Sequence, residues 1–409
     1  MRSAERGDCL KAVILAAGEG NRMRPLTYTR PKVMLPLANK PILEHLLIEV
    51  KEAGIREFVF IVGYHDEQVR NYFGDGSKWG VNIEYRNQRR QLGTADAIKM
   101  VEGLVRENFL VVNGDIVANR KDISALVDKR GIALSVFTVE DARGLGVVET
   151  KDGRVVRIYE KVEKPPFRTA NAGLYLFTAE VFQAIAQTPK SPRGEYEITD
   201  SLQWLIDKGH GVFCHEISQW LDLSYPWDLL SANELLLREL ELHNEGEIEE
   251  NVVIKNAVVI GKNTLVRSGT YIIGPVLIGQ NCDIGPNCFI RPSTSIGDNC
   301  HIGAAVEVKN SIIMNGSKVP HLNYVGDSVI GEGCNLGAGT KTANVRLDRG
   351  DIEAAGINTQ RRKLGAIMGD KVETGINVSI NVGTTIGNNT HIGPGALVSG
   401  VIAPNSKLF

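Results

Sequence analysis

The chain has 409 residues, enough for two domains with separate cores. Its formal net charge of −2 excludes a general nucleic-acid electrostatic footprint, so no nucleic-acid partner is expected. No apolar run reaches the roughly 18 residues that a membrane-spanning helix needs, and the polar N-terminus lacks an apolar signal core, so no membrane partner and a cytoplasmic location are expected.

Residues 12–17 form an apolar run that reads as a first β-strand. A turn with Gly18 and Gly20 follows, and Arg22, Arg24 and Lys32 arrive soon after. Exposed backbone N–H groups beside fixed positive charge suit a polyanion such as a triphosphate. A plain strand-to-helix turn with solvated cations is the competing reading. A dinucleotide fingerprint fits less well, because Met23 stands where its third glycine belongs.

Further along, residues 58–62, 109–112 and 133–138 read as strands and 95–105 as a helix. This alternation, running to about residue 211, predicts a mostly parallel sheet covered by helices on both faces. Within it, Gln88-Arg-Arg-Gln-Leu-Gly-Thr94 offers glutamine amides that can pair with a base edge, and Gly93 permits close backbone approach. Taken alone it serves equally well as a polar surface turn. The string Val111-Val-Asn-Gly-Asp115 is a strand ending in a turn and a carboxylate. Parallel α/β sheets bind ligands at that end of their strands, and a carboxylate beside a triphosphate suits Mg²⁺.

Residues 228–243 read as one helix, and the acidic stretch 244–250 breaks the pattern. The expected division is a first domain over 9–243, a linker over 244–250 and a second domain over 251–409. In the second, aliphatic-glycine pairs recur at Gly261, Gly279, Gly285, Gly297 and Gly303, always at multiples of six residues. A six-residue period means short strands stacked as a β-helix, with Ile260, Ile278, Ile284, Ile296, Ile302 and Ile330 filling its core. Cys282, Cys288, Cys300 and Cys334 occupy a slot that threonine, valine or alanine fills elsewhere. They read as buried thiols rather than a zinc or disulfide set, since no C-x-x-C pair exists; Cys9 and Cys214 are isolated. The register breaks twice. The spacing from Gly303 to Gly331 reads as four too many for a whole number of repeats, which predicts a projecting loop carrying His321-Leu-Asn-Tyr324. A second excursion carries Asn344, Arg361, Arg362 and Lys363.

The motif G-x-G-x-R-x-x-P-L-T followed by P-K, from Gly18 to Lys32, resembles the sugar-1-phosphate nucleotidylyltransferases. The resemblance implies catalytic roles for Arg22 and Lys32 on the triphosphate, nucleotide contact by Gly18, Gly20, Gln88, Gln91, Gly93 and Thr94, and UTP or dTTP as co-substrate. It also implies Mg²⁺ at Asp115 and Asp222, and sugar-phosphate contact by Gly146, Glu160, Lys161 and Asn171. An N-cap or surface acid is the alternative for Asp222, and a solvated face for Glu160 and Lys161.

The repeat region resembles the left-handed parallel β-helix of hexapeptide-repeat acyltransferases, in which three subunits usually pack side by side. More specifically, it is similar to the acetyltransferase domain of the bifunctional N-acetylglucosamine-1-phosphate uridylyltransferases. Its matches are Arg291-Pro, Val306-Glu-Val-Lys309, His321-Leu-Asn-Tyr324, Val325-Gly-Asp and Cys334-Asn-Leu-Gly-Ala-Gly-Thr340. The likeness implies His321 as general base, sugar-phosphate contact by Arg291, Lys309, Tyr324 and Asn335, acetyl-CoA contact by Ala338, Asn344 and Lys363, and a homotrimer. Val345 and Ile376 depart from that pattern. The whole chain resembles the archaeal bifunctional sugar-1-phosphate nucleotidylyltransferase/acetyltransferases, acting on small molecules to make UDP-N-acetylglucosamine. Two other readings compete: a nucleotidylyltransferase whose β-helix serves only assembly or regulation, and a non-enzymatic sugar-nucleotide sensor.

Overall fold

The computed structural model describes residues 10–160, 162 and 164–409. Two compact units emerge. One holds the chain up to Glu19, Arg30–Met34 and Ile42–Asp222; the other holds Gly20–Thr29, Leu35–Pro41 and Leu223–Phe409.

The first unit is built on a nine-stranded sheet. Strands Asn82–Asn87, Glu57–Val62, Lys11–Ala16 and Phe109–Asn113 lie side by side and parallel. The last three runs are apolar on both faces because both faces are buried: Val13, Ile14, Val59, Phe60, Val111 and Val112 are all fully buried. Thr169–Phe177 runs antiparallel to Phe109–Asn113 on one side and to Ile132–Thr138 on the other, so the sheet is mixed beyond its parallel half. The expected helix over 95–105 is shorter, Thr94–Lys99, and its apolar continuation is a series of turns around the glycine Gly103, whose φ is 86°.

The second unit consists chiefly of three stacked parallel sheets of nine, nine and eight short strands, the arrangement of a left-handed β-helix. The aliphatic column behaves as the period predicts: Ile278, Ile284, Ile296, Ile302 and Ile330 are fully buried and belong to one core. The cysteines fill the slot of small polar residues. Thr264 Oγ1 donates to the Gly279 carbonyl at 2.7 Å and Ser317 Oγ to that of Gly331 at 2.7 Å. The thiols do the same, Cys282 to Gly297 at 3.1 Å, Cys288 to Gly303 at 2.8 Å and Cys334 to Gly369 at 3.2 Å. All four are free, and burial pushes the Cys334 thiol up to about 12. Cys9 lies outside the described residues. Replacing Ile302 with alanine removes three carbons from a close-packed column that cannot collapse along its axis. The expected loss is about 2–5 kcal/mol, read from the urea midpoint of the second unit.

Two expectations need correction. The stretch 244–250 is not a linker: His243–Asn244 pairs with Val258–Ile260, and Glu247–Ile248 with Leu265–Val266, so the first coil begins there. The helix expected over 228–243 ends at Leu237 and groups with the second unit rather than the first. Its fully buried Asn233 explains why. The side-chain oxygen accepts from Ala38 N at 2.9 Å and Ser295 Oγ at 3.0 Å, while its amide donates to the Ser293 carbonyl at 3.2 Å. Asn39 and Thr29 add bonds to Ile296 O and Asp370 Oδ2, each at 2.6 Å.

The register also departs from expectation. Successive coils advance by one constant step, as from Val253 to Tyr271, then to Phe289 and to Glu307. Glu307 then pairs with Tyr324 and Tyr324 with Lys341, each step one position shorter. The spacing from Gly303 to Gly331 is therefore two short of five repeats, not four beyond four. One position is lost at each of two successive corners, Asn310-Ser311 and Asp327-Ser328, and no loop projects. His321 and Tyr324 sit on the ladder, in strands Lys318–His321 and Tyr324–Gly326. The second excursion is real. Val329 pairs with Ile367, more than two coils' worth of chain further on, and the extra segment folds back as the hairpin Glu353–Ala354/Ile357–Asn358 with Ile352 fully buried.

Candidate active sites

In the first unit the ends of neighbouring strands bring acid and base together. Gly114 N donates to Leu15 O at 2.9 Å, and a Cβ at Gly114 would stand 2.7 Å from that oxygen, so only glycine lets the turn close against the first strand. That turn delivers Asp115. Its Oδ2 takes a hydrogen bond from Lys32 Nζ at 2.6 Å, with the lysine side chain only 10% exposed. Asp222 arrives from the strand Leu221–Asp222, which pairs antiparallel with Ile116–Val117 and sets Asp222 opposite Ile116. The pairing thus sets Asp222 opposite the chain neighbour of Asp115, the residue that Lys32 holds. Gly18 is exposed at the end of the first strand. Gly20 and Arg22 belong to the segment grouped with the second unit, where the exposed Arg22 guanidinium lies 5.3 Å from the centre of the Tyr225 ring.

The glutamine loop is more internally bonded than its sequence implies. Gln88 is buried, and its amide nitrogen donates to Gly93 O at 3.1 Å and Asp96 Oδ2 at 2.8 Å. Thr94 Oγ1 is occupied in accepting from Ile198 N at 2.9 Å. Gly93 has φ 109°, and a Cβ there would lie 2.4 Å from Tyr196 O, so the loop depends on it. Gln91 is exposed and reaches Ala17 O at 3.2 Å, beside Gly18.

Gly146, Glu160 and Asn171 converge. Asn171 N donates to Gly146 O at 2.8 Å, and a Cβ on Gly146 would fall 2.9 Å from Glu160 Oε2. Residues that sequence reading missed hold this group. Arg193 and Thr199 donate to Glu160 at 3.3 and 3.1 Å, and Asn171 donates to the Tyr175 hydroxyl at 2.9 Å. Burial pushes the Tyr175 phenol far up, so it stays neutral. The signal available was the string Arg193-Gly-Glu-Tyr-Glu197, whose charges cluster beside a helix start. Lys161 lies outside the described residues.

The second unit gathers a different set. Lys309 Nζ lies 3.2 Å from Asp327 Oδ2, in an ion pair whose side chains are 19% and 3% exposed. Asn344 donates to the Tyr324 hydroxyl at 3.1 Å and also to Asp327 Oδ2. Arg291 pairs with Glu307 at 2.8 Å. The His321 ring is exposed, and its backbone is fixed by Gly339 N donating to its carbonyl at 3.0 Å. Asn335 is exposed on the strand paired with Lys318, Ala338 O accepts from Asn377 N at 2.7 Å, and Lys363 is exposed at the end of the extra segment. Arg361, on that segment, instead turns inward to Ser231 Oγ at 2.8 Å. Burial lowers its pKa against the pull of Asp228 and Asp327. Asp327 closes the Val325-Gly-Asp match without a role attached to it, and Asn310 carried no motif.

Residues 11–239 match the nucleotidyl transferase family, and residues 272–384 match the GMPPB C-terminal domain. A solved structure described as a putative glucose-1-phosphate thymidylyltransferase from Bacillus anthracis aligns over 57% of this chain and 98% of its own. The TM-score is 0.52 at 30% identity. The first unit is thus a nucleotidyl transferase fold.

The curated relatives extend over both units. A bifunctional protein GlmU of Methanococcus maripaludis is 43% identical, covering 98% of this chain and 97% of its own. A bifunctional sugar-1-phosphate nucleotidylyltransferase/acetyltransferase of Sulfurisphaera tokodaii is 39% identical over 95% of this chain and 97% of its own. The chain belongs to this family of bifunctional sugar-1-phosphate nucleotidylyltransferase/acetyltransferases. Among the described residues no helix is long and apolar enough to cross a membrane.

Proposed function

We propose that the first unit transfers UMP, or dTMP, from the nucleoside triphosphate to a sugar-1-phosphate, and that the second acetylates the amine of the amino-sugar-1-phosphate beforehand. The product of the pair is UDP-N-acetylglucosamine. The observation that carries the nucleotidyl reading is the Lys32–Asp115 pair at a strand end, with Asp222 on the strand paired beside it.

Asp115 and Asp222 offer hard oxygen donors, and no three metal-ligating side chains gather among the described residues. That donor set fits Mg²⁺, which takes one or two carboxylates and completes its shell with phosphate and water. Held by these two carboxylates, Mg²⁺ would supply neutralisation of charge on the triphosphate. Lys32, already held by Asp115, has N–H groups left for the phosphates. Gln91 meets the base while Gln88 and Gly93 shape the loop beneath it. Gly146, Glu160 and Asn171 hold the hexose, Glu160 fixed by Arg193 and Thr199. The sugar-phosphate oxygen then attacks the α-phosphorus in line, the bond to the β-phosphate breaks, and pyrophosphate departs.

In the second unit His321 takes a proton from the substrate amine as nitrogen attacks the thioester carbonyl; the C–S bond breaks and coenzyme A leaves as its thiol. Arg291, Lys309, Tyr324 and Asn335 hold the sugar phosphate. Lys363 and Ala338 meet acetyl-CoA. A prism used only for assembly has no need of the charged group around Lys309 and Tyr324. The same reading carries a homotrimer through the prism and a cytoplasmic location, and sedimentation tests the former.

Lys32→Ala is expected to slow pyrophosphate release by about 10²-fold or more, the scale of losing one transition-state charge partner. A change below about fivefold removes Lys32 from the reaction. The test of the whole is a matrix of glucosamine-1-phosphate, galactosamine-1-phosphate and their N-acetyl forms against UTP and dTTP. Pyrophosphate and coenzyme A thiol are measured together. No nucleotidyl transfer with any pair overturns the first assignment, and no thiol release the second.

A further inference from the structure

The two shortened corners do more than economise on chain. They put Asn310 and Asp327 at equivalent places in successive coils, both left-handed, with φ of 43° and 49°. Asparagine and aspartate are the non-glycine residues that tolerate this conformation best. The carboxylate of Asp327 is consequently turned into the protein, 3% exposed, where a lone charge would be costly. Three donors meet it there: Lys309 Nζ at 3.2 Å and Asn344 Nδ2 on one oxygen, Asn310 Nδ2 at 2.7 Å on the other.

We propose that Asp327 is the positioning residue of the acetyl-transfer site, holding Lys309 in place and fixing which way the Asn344 amide faces. This rests on the acetyl-transfer reading of the second unit. An ionised carboxylate only accepts, so the Asn344 NH₂ must face it. The second hydrogen of that NH₂ goes to the Tyr324 hydroxyl oxygen, at 3.1 Å. The amide oxygen is then left as an acceptor with no protein donor among the described residues, suited to an N–H of the substrate. With its oxygen accepting from Asn344, the Tyr324 hydroxyl keeps its own hydrogen for another acceptor, such as a phosphate oxygen. Lys309 spends one N–H on Asp327 and keeps two. One buried carboxylate therefore sets the donor and acceptor pattern of three side chains that face substrate. Gly326 belongs to the same device. A Cβ there would stand 2.6 Å from the Tyr324 hydroxyl and 2.8 Å from Asn344 Nδ2, forcing both aside.

The test is Asp327→Asn in the full-length chain. Asparagine keeps the shape and the left-handed backbone but can accept on one atom only, so the Asn344 amide is free to turn over. The expected result is a KM for glucosamine-1-phosphate raised about tenfold or more, the scale of losing hydrogen bonds to a charged group. Pyrophosphate release from UTP and N-acetylglucosamine-1-phosphate should be unchanged, and the melting temperature should move little. Because Asp327 acts through Asn344, adding Asp327→Asn to Asn344→Ala should cost far less than the product of the two single losses. Asn310→Ala, which removes one brace away from substrate, serves as second variant if Asp327→Asn folds poorly, and should raise KM in the same direction. Wild-type KM in the variant that folds, or fully multiplicative losses in the cycle, overturns the proposal while the acetyl-transfer reading stands. Absence of thiol release by the wild type overturns both.

Discussion

Asp115→Ala is expected to lower Mg²⁺-dependent pyrophosphate release by on the order of 10³-fold while leaving acetyl transfer near wild type. The substitution removes a carboxylate at a strand end and leaves Lys32, 10% exposed, without the partner it holds at 2.6 Å. Two losses therefore coincide: an oxygen ligand for the metal and the anchor of a cation on the leaving group. Gly114 and the strand Phe109–Asn113 are untouched, so the fold should persist. The discriminating readout is metal titration. Asp115→Ala should no longer respond to added Mg²⁺ in the range that saturates the wild type, whereas Lys32→Ala should keep the metal dependence and lose rate. Equal loss of both transferase activities in a protein with a wild-type melting curve would contradict two separate sites.

The second large effect is at His321, where alanine is expected to cost acetyl transfer about 10²–10⁴-fold, the usual worth of a positioned base. The strand Lys318–His321 survives the change. Its buried residue is Val319, the backbone bond from Gly339 N does not involve the ring, and the imidazole is exposed. Assembly and uridylyl transfer to supplied N-acetylglucosamine-1-phosphate should continue unchanged. Thiol release from acetyl-CoA and pyrophosphate release, measured on one preparation, decide the matter. An unchanged thiol signal would remove His321 from catalysis and leave Tyr324 and Lys309 without a base to serve.

Much of this was legible in the residues. The six-residue recurrence named the prism and its isoleucine column, because stacking repeats the same inward position at a fixed chain distance. The alternation of strand and helix named the first unit, and the Gly18 to Lys32 motif its chemistry. What stayed hidden depended on register and partner rather than residue type. The spacing from Gly303 to Gly331 is four over one multiple of six and two under the next, and nothing local says which. The ladder decides it, since deleting one position at a corner keeps all three sheets paired. Reading the gap as an excursion put His321 off the prism and left Asp327, at a shortened corner, without a role. Asp228–Leu237 was likewise a sound helix, but no apolar stripe reveals that its Asn233 bonds Ser293 and Ser295. Gln88 and Thr94 showed their residue types plainly and concealed that their donors and acceptors were already spent on the loop itself.

The long step between Val329 and Ile367 bears on how such a protein can change. The strands on either side of the extra segment pair as though it were absent, Asn335 with Glu373 and Lys341 with Ser379. A chain spliced in at that corner thus meets only the closure penalty of a loop, which grows by about 0.6 kcal/mol for each doubling of length. The residues proposed to hold the sugar phosphate come from coils before the splice. Lys363, proposed to meet the acyl donor, lies on the spliced segment itself. On the proposed reading, variation in the length and charge of this one segment would retune which acyl carrier is accepted while the amine-bearing partner is held as before, making half of a two-substrate specificity an interchangeable part.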